Sequence, residues 1–247
     1  MMTSNATVAG ADTAPVPSQS DRVISEIRQR IIAHELSSEQ PFTEGEIASM
    51  LGVSKTPTRE ALALLRRQGW VDVLPRSGYR VPALTLHDAQ NLTIVRLALE
   101  PEAAAAAAQR SGRWPEQVAA LQEFAAGSNP APGMELDVER IVEHYRFHRR
   151  IAVLGGNTEL ERILSDTLLK LQRYDRLQLV AGGGLECHVD HRTLAAAITS
   201  RDPAQAREAA RAHVTEAREA LLSALLSSDT LMSADLSMNR GSGERAG

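Results

Sequence analysis

The sequence predicts a mainly α fold in two parts, on three observations. Aromatic residues make up only 3% of the 247 residues while alanine and leucine abound, which favours helices packed through small side chains over a sheet core. Between residues 22 and 67, three short amphipathic segments are punctuated by Gly52 and followed by a turn at Gly69 and Trp70 into two strand-like stretches. After Pro82 the apolar spacing stays helical to about residue 227, with short connections and no βαβ rhythm or internal repeat. The first pattern is that of a winged helix-turn-helix, and the second that of an antiparallel six-helix bundle. The expected organisation is a disordered lead over 1–21, the winged module over 22–82, the bundle over 84–227 and a disordered tail over 228–247.

Composition narrows the setting. Cys187 is the single cysteine and cannot close an internal disulfide, which points to a reducing cytoplasm. No stretch nears 18 uninterrupted apolar residues, so no membrane span is expected. The first 20 residues lack the basic start and apolar block of a secretory signal. The formal net charge of −4 conceals a split: residues 21–82 carry nine basic and eight acidic side chains, the remainder 18 and 23. Within 54–80 six basic residues face two acids, and local charge of this kind is what phosphate contact requires.

In the winged module, Val23, Ile24, Ile27, Ile31 and Ile32 predict a first helix over 22–34. Thr43 and Glu46 form a capping box for a second helix, with Ile47, Met50 and Leu51 as its buried stripe. Gly52 supplies the positive φ of the turn, and Ser54 is the N-cap of a third helix that tolerates Pro57 in its first turn. With Ala61, Leu62, Leu64 and Leu65 buried, Lys55, Thr56, Thr58 and Arg59 are expected to face outward. Arg59 suits a bidentate contact with a guanine, while Ser54, Thr56 and the free N–H groups of the helix start suit phosphate. Val71–Leu74 and Tyr79–Pro82 pair as the wing, with Arg76 at its tip reaching phosphate or minor groove and Gly78 permitting the turn.

In the bundle, Thr85 and Asp88 cap a helix through Leu92, Val95 and Leu99, which Pro101 should kink before the alanine run 103–108. Further helices are expected near 114–126, 135–154, 158–180, 185–200 and 203–227, separated by a Gly127–Gly133 loop, Gly155–Gly156 and Gly182–Gly184. Asn157 and Asp202 serve as caps. His144 and His148, four residues apart, share a stripe with Ile141 and Ile151; His191 lies with Leu194 and Ile198, and His213 with Ala206 and Ala209. Three helices thus turn four histidines inward, as bundles do when they build a metal site. The alternative is four core histidines, each bonded to its own carbonyl or hydroxyl.

The run from Leu51 through Leu62 and the wing from Pro75 through Val81 resemble the GntR family of bacterial transcription regulators. Lys55 stands where that family more often has arginine, and Gly45 where some members carry a DNA-contacting arginine. The bundle resembles the FadR-type branch in its shorter, VanR-like form, through Arg96 with Glu100, Phe147–His148, Gly155–Gly156–Asn157, Asp190–His191, Asp202 and Ala212–His213. The resemblance implies a homodimer on double-stranded operator DNA and a small carboxylate effector gripped by Arg96. It also implies metal ligands at His148, His191 and His213, with His144 in place of the usual aspartate, either as a fourth ligand or standing aside to leave three histidines and open positions for water or effector. Four neutral imidazoles leave the full charge of a divalent ion uncompensated and lean towards zinc or nickel over manganese.

Arg96 has a second reading, a salt bridge to Glu100 at i+4. Cys187 and His188 adjoin His191 without clear ligand spacing. Two further accounts compete: a regulator whose effector meets the histidines and Arg96 with no metal, and a metal-dependent enzyme tethered to DNA. Against the enzyme, no nucleophile elbow, phosphate loop or His-Glu-x-x-His pattern is present.

Overall fold

The computed structural model describes residues 18–128, 137–180 and 191–227. Among these, nine α-helices and one two-stranded sheet form, and the chain divides into two compact units. The first comprises residues up to Gln29 together with Glu39–Val81; the second comprises Arg30–Ser38 and everything from Pro82 onward.

Helix α1, Gln19–Ile32, begins earlier than expected. Ser18 and Asp21 cap each other reciprocally: the Asp21 amide donates to Ser18 Oγ at 3.1 Å and the Ser18 amide to Asp21 Oδ2 at 3.0 Å. Residues 18–21 thus belong to a helix start and not to a disordered lead; residues 1–17 and 228–247 lie outside the described residues. Helix α2, Glu44–Leu51, carries the predicted capping box at Thr43 and Glu46, and Gly52 ends it at φ 64°. Its buried residues are Ile47 and Ala48, whereas Met50, expected inside, is half exposed. Helix α3, Lys55–Arg67, follows, and its last turn is fastened to α1 by Arg28, whose Nη2 donates to Gln68 Oε1 at 2.8 Å.

The wing is β1, Asp72–Leu74, antiparallel to β2, Gly78–Arg80, with Val73 opposite Tyr79. Phe42 extends this sheet, its amide and carbonyl bonding Tyr79 at 2.9 and 2.8 Å. Arg76 at φ 68° and Gly78 at φ 94° make the turn. A Cβ at Gly78 would meet the Phe42 carbonyl oxygen at 2.4 Å, so this glycine is required twice, for its φ and for the close approach. Gly78→Ala is expected to destabilise the first unit by about 1–3 kcal/mol and weaken operator binding. Thermal unfolding of the full chain checks this.

In the second unit, Thr85 caps α4, Leu86–Arg110, which runs unbroken through Pro101 and carries the alanine stretch. Helices α5, Pro115–Ser128, α6, Val138–Gly155, α7, Thr158–Val180, α8, His191–Thr199, and α9, Pro203–Ser227, complete it. Helix α5 runs past the expected loop start at Gly127. Residues 129–136 and 181–190, hence most of that loop, the Gly182–Gly184 run, the start of the predicted 185–200 helix, Cys187, His188 and Asp190, lie outside the described residues.

Asn157 accepts from the Leu160 amide and Asp202 from Ala204 and Gln205, as expected, and Asp137 adds a cap of the same kind, accepting from the Arg140 amide. Helix α4 touches α6, α7, α8 and α9, so small residues on it let four neighbours approach. At Gly155 the fit to α6 is tight, since a Cβ there would lie 3.0 Å from the Ala103 carbonyl oxygen. That central helix supplies Arg96 and Glu100, and three of its neighbours supply the histidines.

Candidate functional site

Two sets of side chains matter, one in each unit. On α3 the outward face holds Ser54, Lys55, Thr56 and Arg59, all exposed. Thr58 is corrected: it is fully buried and its hydroxyl donates to the Ser54 carbonyl at 3.0 Å. Its helical phase puts it with Ala61, Leu62 and Leu65, so it orders the helix start and does not face outward. Ser54 adopts N-cap backbone geometry, but its side chain makes no capping bond, and no acid lies in the first turn of α3. This leaves a helix start with free N–H groups and an uncompensated positive dipole end, which suits phosphate. Arg59 does not stand free: its Nε donates to Glu44 Oε2 at 3.1 Å, and Glu44 Oε1 accepts from the Tyr79 hydroxyl at 3.3 Å. Partial burial and the Glu44 carboxylate push the Tyr79 phenol up. Arg76 is exposed at the tip of the wing.

In the second unit the four histidines converge. Ring centroids lie 4.8 Å apart for His144 and His148, 4.9 Å for His144 and His191, 4.9 Å for His148 and His213, and 5.2 Å for His191 and His213. His191 Nε2 is 3.0 Å from His144 Nδ1, and His213 Nε2 is 3.2 Å from His148 Nε2. His144, His148 and His191 each offer a nitrogen such that all three lie within 4.8 Å of one another; His213 stands outside that set of three but against His148.

The donor set fits a metal ion. Glu100 Oε2 lies 2.6 Å from the buried Nδ1 of His148, a carboxylate placed to orient a ligand ring whose other nitrogen, Nε2, lies against His213. Arg96 makes the i+4 salt bridge, its Nε pairing with Glu100 Oε1 at 2.5 Å, and its Nη2 lies 3.3 Å from His148 Nε2. A crevice beside Glu100, Ala103, Ala104, His148 and Ala210 is too narrow for water, so an effector there would displace side chains.

Burial sets the charge state. Desolvation, reinforced by neighbouring histidines and Arg96, holds His144, His148 and His213 well below the usual imidazole value. Neutral imidazoles with free lone pairs are what metal ligation needs. Burial opposes the charge on Arg96, but the Glu100 carboxylate outweighs it and holds the guanidinium up.

Below an unfolded-state pKa of about 6.5 the unfolded chain takes up protons that these folded histidines refuse. Stability of the metal-free protein is therefore expected to fall from pH 7.5 to 5.5, by at most about 1.4 kcal/mol per pH unit per histidine. Asp175, raised to about 6 mainly by burial, works in the opposite direction between its ordinary 3.8 and that value, one group against three. Urea unfolding of chelator-treated protein at the two pH values checks the sign; equal or greater stability in acid would contradict it.

Residues 19–81 match the family described as bacterial regulatory proteins, gntR family, and residues 91–216 match the FCD domain. This chain belongs to the GntR family, with an FCD C-terminal domain. It is a DNA-binding transcription regulator and not an enzyme. An uncharacterised HTH-type transcriptional regulator in an unstable DNA locus of Streptomyces ambofaciens is 28% identical over 201 residues, spanning 76% of this chain and 78% of that protein. The HTH-type transcriptional repressor GlaR of Escherichia coli is 26% identical over 196 residues, spanning 76% and 89%. Among solved structures, E. coli McbR/YncC has a TM-score of 0.70 at 21% identity, covering 83% of this chain and 98% of its own, a likeness of fold. No helix among the described residues of this GntR regulator is long and apolar enough to cross a membrane.

Sequence reasoning missed one further strip of the FCD unit. On α7, Arg173, Tyr174 and Asp175 are consecutive and make separate long-range contacts. The Arg173 carbonyl contacts His34 Nε2 at 3.0 Å, its Nη2 donates to the Pro82 carbonyl at 2.8 Å, and the Tyr174 hydroxyl donates to the Thr85 carbonyl at 3.1 Å. Asp175 Oδ2 accepts from the Tyr145 hydroxyl at 2.6 Å, and the Tyr145 ring packs edge-on against His144 at 5.0 Å. The sequence signal was an acid beside the otherwise apolar positions Leu168, Leu171 and Tyr174.

Proposed function

We propose that this regulator reads a two-fold operator as a homodimer and that a small carboxylate effector, bound at a divalent ion, sets its operator affinity. Ser54, Lys55, Thr56, Arg59, Arg76 and the backbone at Gly78 contact DNA in this reading. His144, His148, His191 and His213 would hold the ion, zinc or nickel, and Arg96 would face the carboxylate. Once bound, the ion supplies a fixed positive charge and Lewis acidity that draw an anion. The observation that carries the reading is the convergence of four buried or half-buried imidazoles from three helices, three of them with nitrogens within 4.8 Å. The lowered pKa of His144, His148 and His213 and the carboxylate beside His148 Nδ1 support it.

One observation favours the metal-free regulator. His144 with His191, and His148 with His213, can each share a proton across 3.0 and 3.2 Å without an ion. Thermal-shift measurements of untagged protein with small carboxylates, with and without added zinc or nickel, separate the two. Larger shifts in the presence of metal support the proposal; equal shifts without metal favour direct binding, and no shift with any acid removes the effector from the account.

The strip on α7 offers a route from this site to the DNA-binding unit, because His34, Pro82 and Thr85 lie on the stretches where the chain leaves and re-enters the second unit. A coupling of about 1–3 kcal/mol would suffice for regulation. Tyr145→Phe keeps all four histidines but removes the bond to Asp175. We expect it to retain metal and effector-free operator affinity while the effector's influence on operator affinity drops below about threefold. Fluorescence anisotropy with the acid selected above checks this; an unchanged effector response would remove α7 from the route.

A further inference from the structure

We propose that Glu44 is a positioning residue for base recognition, holding Arg59 by one edge of its guanidinium so that the other edge is presented to DNA. The inference rests on the Arg59 role proposed above and adds a specificity-determining residue to it. Both Glu44 carboxylate oxygens lie against Arg59 Nε, at 3.4 and 3.1 Å. Nε is thereby engaged, and the end-on pair of Nη groups is left for O6 and N7 of a guanine.

Glu44 is itself anchored from the other side. The Tyr79 hydroxyl donates to it, and Tyr79 is fixed by its register with Val73 and by two backbone bonds to Phe42. The Glu44 side chain is 25% exposed and that of Arg59 69% exposed, so the acid is the sheltered member and the arginine the presented one. Three elements thus meet at one carboxylate: the start of α2, the reading helix α3 and the wing strand β2. Ordering a long, flexible side chain before binding lowers the conformational entropy lost when it docks.

Charge makes the proposal separable from a structural role. A carboxylate on a DNA-facing surface repels phosphate, so on charge alone it weakens all DNA binding. If Glu44 serves to aim Arg59, removing its charge has opposite effects on the two kinds of DNA. Glu44→Gln is expected to weaken binding to the operator about 10-fold while strengthening binding to non-operator DNA about twofold at the same salt. Tyr79→Phe, which changes no charge, is expected to weaken operator binding about threefold and leave non-operator binding unaltered. On an Arg59→Ala background, Glu44→Gln should bring no further loss of operator preference.

The experiment is fluorescence anisotropy of the full-length protein on operator and scrambled duplexes, with thermal unfolding run alongside. The Thr43–Glu46 capping box that starts α2 is untouched by Glu44→Gln. Opposite shifts on the two duplexes, lost in the Arg59→Ala background, support the proposal. Parallel losses on both duplexes, or an unchanged operator affinity, overturn it in favour of a role in the stability of α2. If Glu44→Gln fails to fold, Tyr79→Phe decides by the same comparison. If Arg59→Ala alone keeps full operator preference, the reading of α3 has failed and Glu44 falls with it.

Discussion

His148→Ala is expected to reduce affinity for zinc or nickel roughly 100-fold, from the loss of about 3 kcal/mol that one ligand contributes to a four-ligand site. This position is chosen because His148 is the hub of the cluster. It is nearly fully buried, its Nε2 lies against both His213 and Arg96, and its ring lies within 5.4 Å of the other three. Loss of metal should carry with it the metal-dependent thermal shift by carboxylates. The metal-free proteins should differ much less, because Arg96 and Glu100, which lie beside the imidazole that alanine removes, stay paired with each other. Chelator-competition titration of wild type and variant measures the difference, and equal affinities would move the ion elsewhere or dismiss it.

The second large effect is on DNA. Arg59→Ala is expected to cost about 1–3 kcal/mol of operator discrimination, or roughly 5- to 150-fold in affinity ratio against scrambled DNA. Lys55→Ala, a point charge without fork geometry, should weaken both duplexes together and flatten the salt dependence by about one unit. The contrast between the two variants tells base readout from phosphate contact. An Arg59→Ala protein with unaltered preference for operator would show that α3 does not read sequence through this side chain.

Much of the fold was legible because local rules govern it. Capping residues at Thr43, Thr85, Asn157 and Asp202 and the left-handed Gly52 mark element ends within one residue. The histidine stripe was legible for the same reason, since an i,i+4 pair with apolar companions can face only one way. Ser18 with Asp21 was a capping signal of the same kind, hidden by the polar, alanine-rich stretch before it. Thr58 was misplaced by reading the first turn of α3 as wholly outward, when 100° per residue returns it to the stripe of Ala61 and Leu62.

What could not be read were pairings between distant segments. Glu44 with Arg59, Tyr145 with Asp175 and Glu100 beside His148 are separated by 15, 30 and 48 residues, and only packing brings them together. Arg96 shows why a single-helix view was insufficient: its i+4 partner and its approach to His148 coexist, because α4 runs between the helices that carry the histidines.

The most direct test is the metal content of untagged, full-length protein purified without chelators, by elemental analysis before and after incubation with zinc or nickel. About one divalent ion per chain, retained through gel filtration, is the expected result. A protein that emerges bare and takes up neither ion would leave the four imidazoles paired only with one another, and would contradict the proposed metal site.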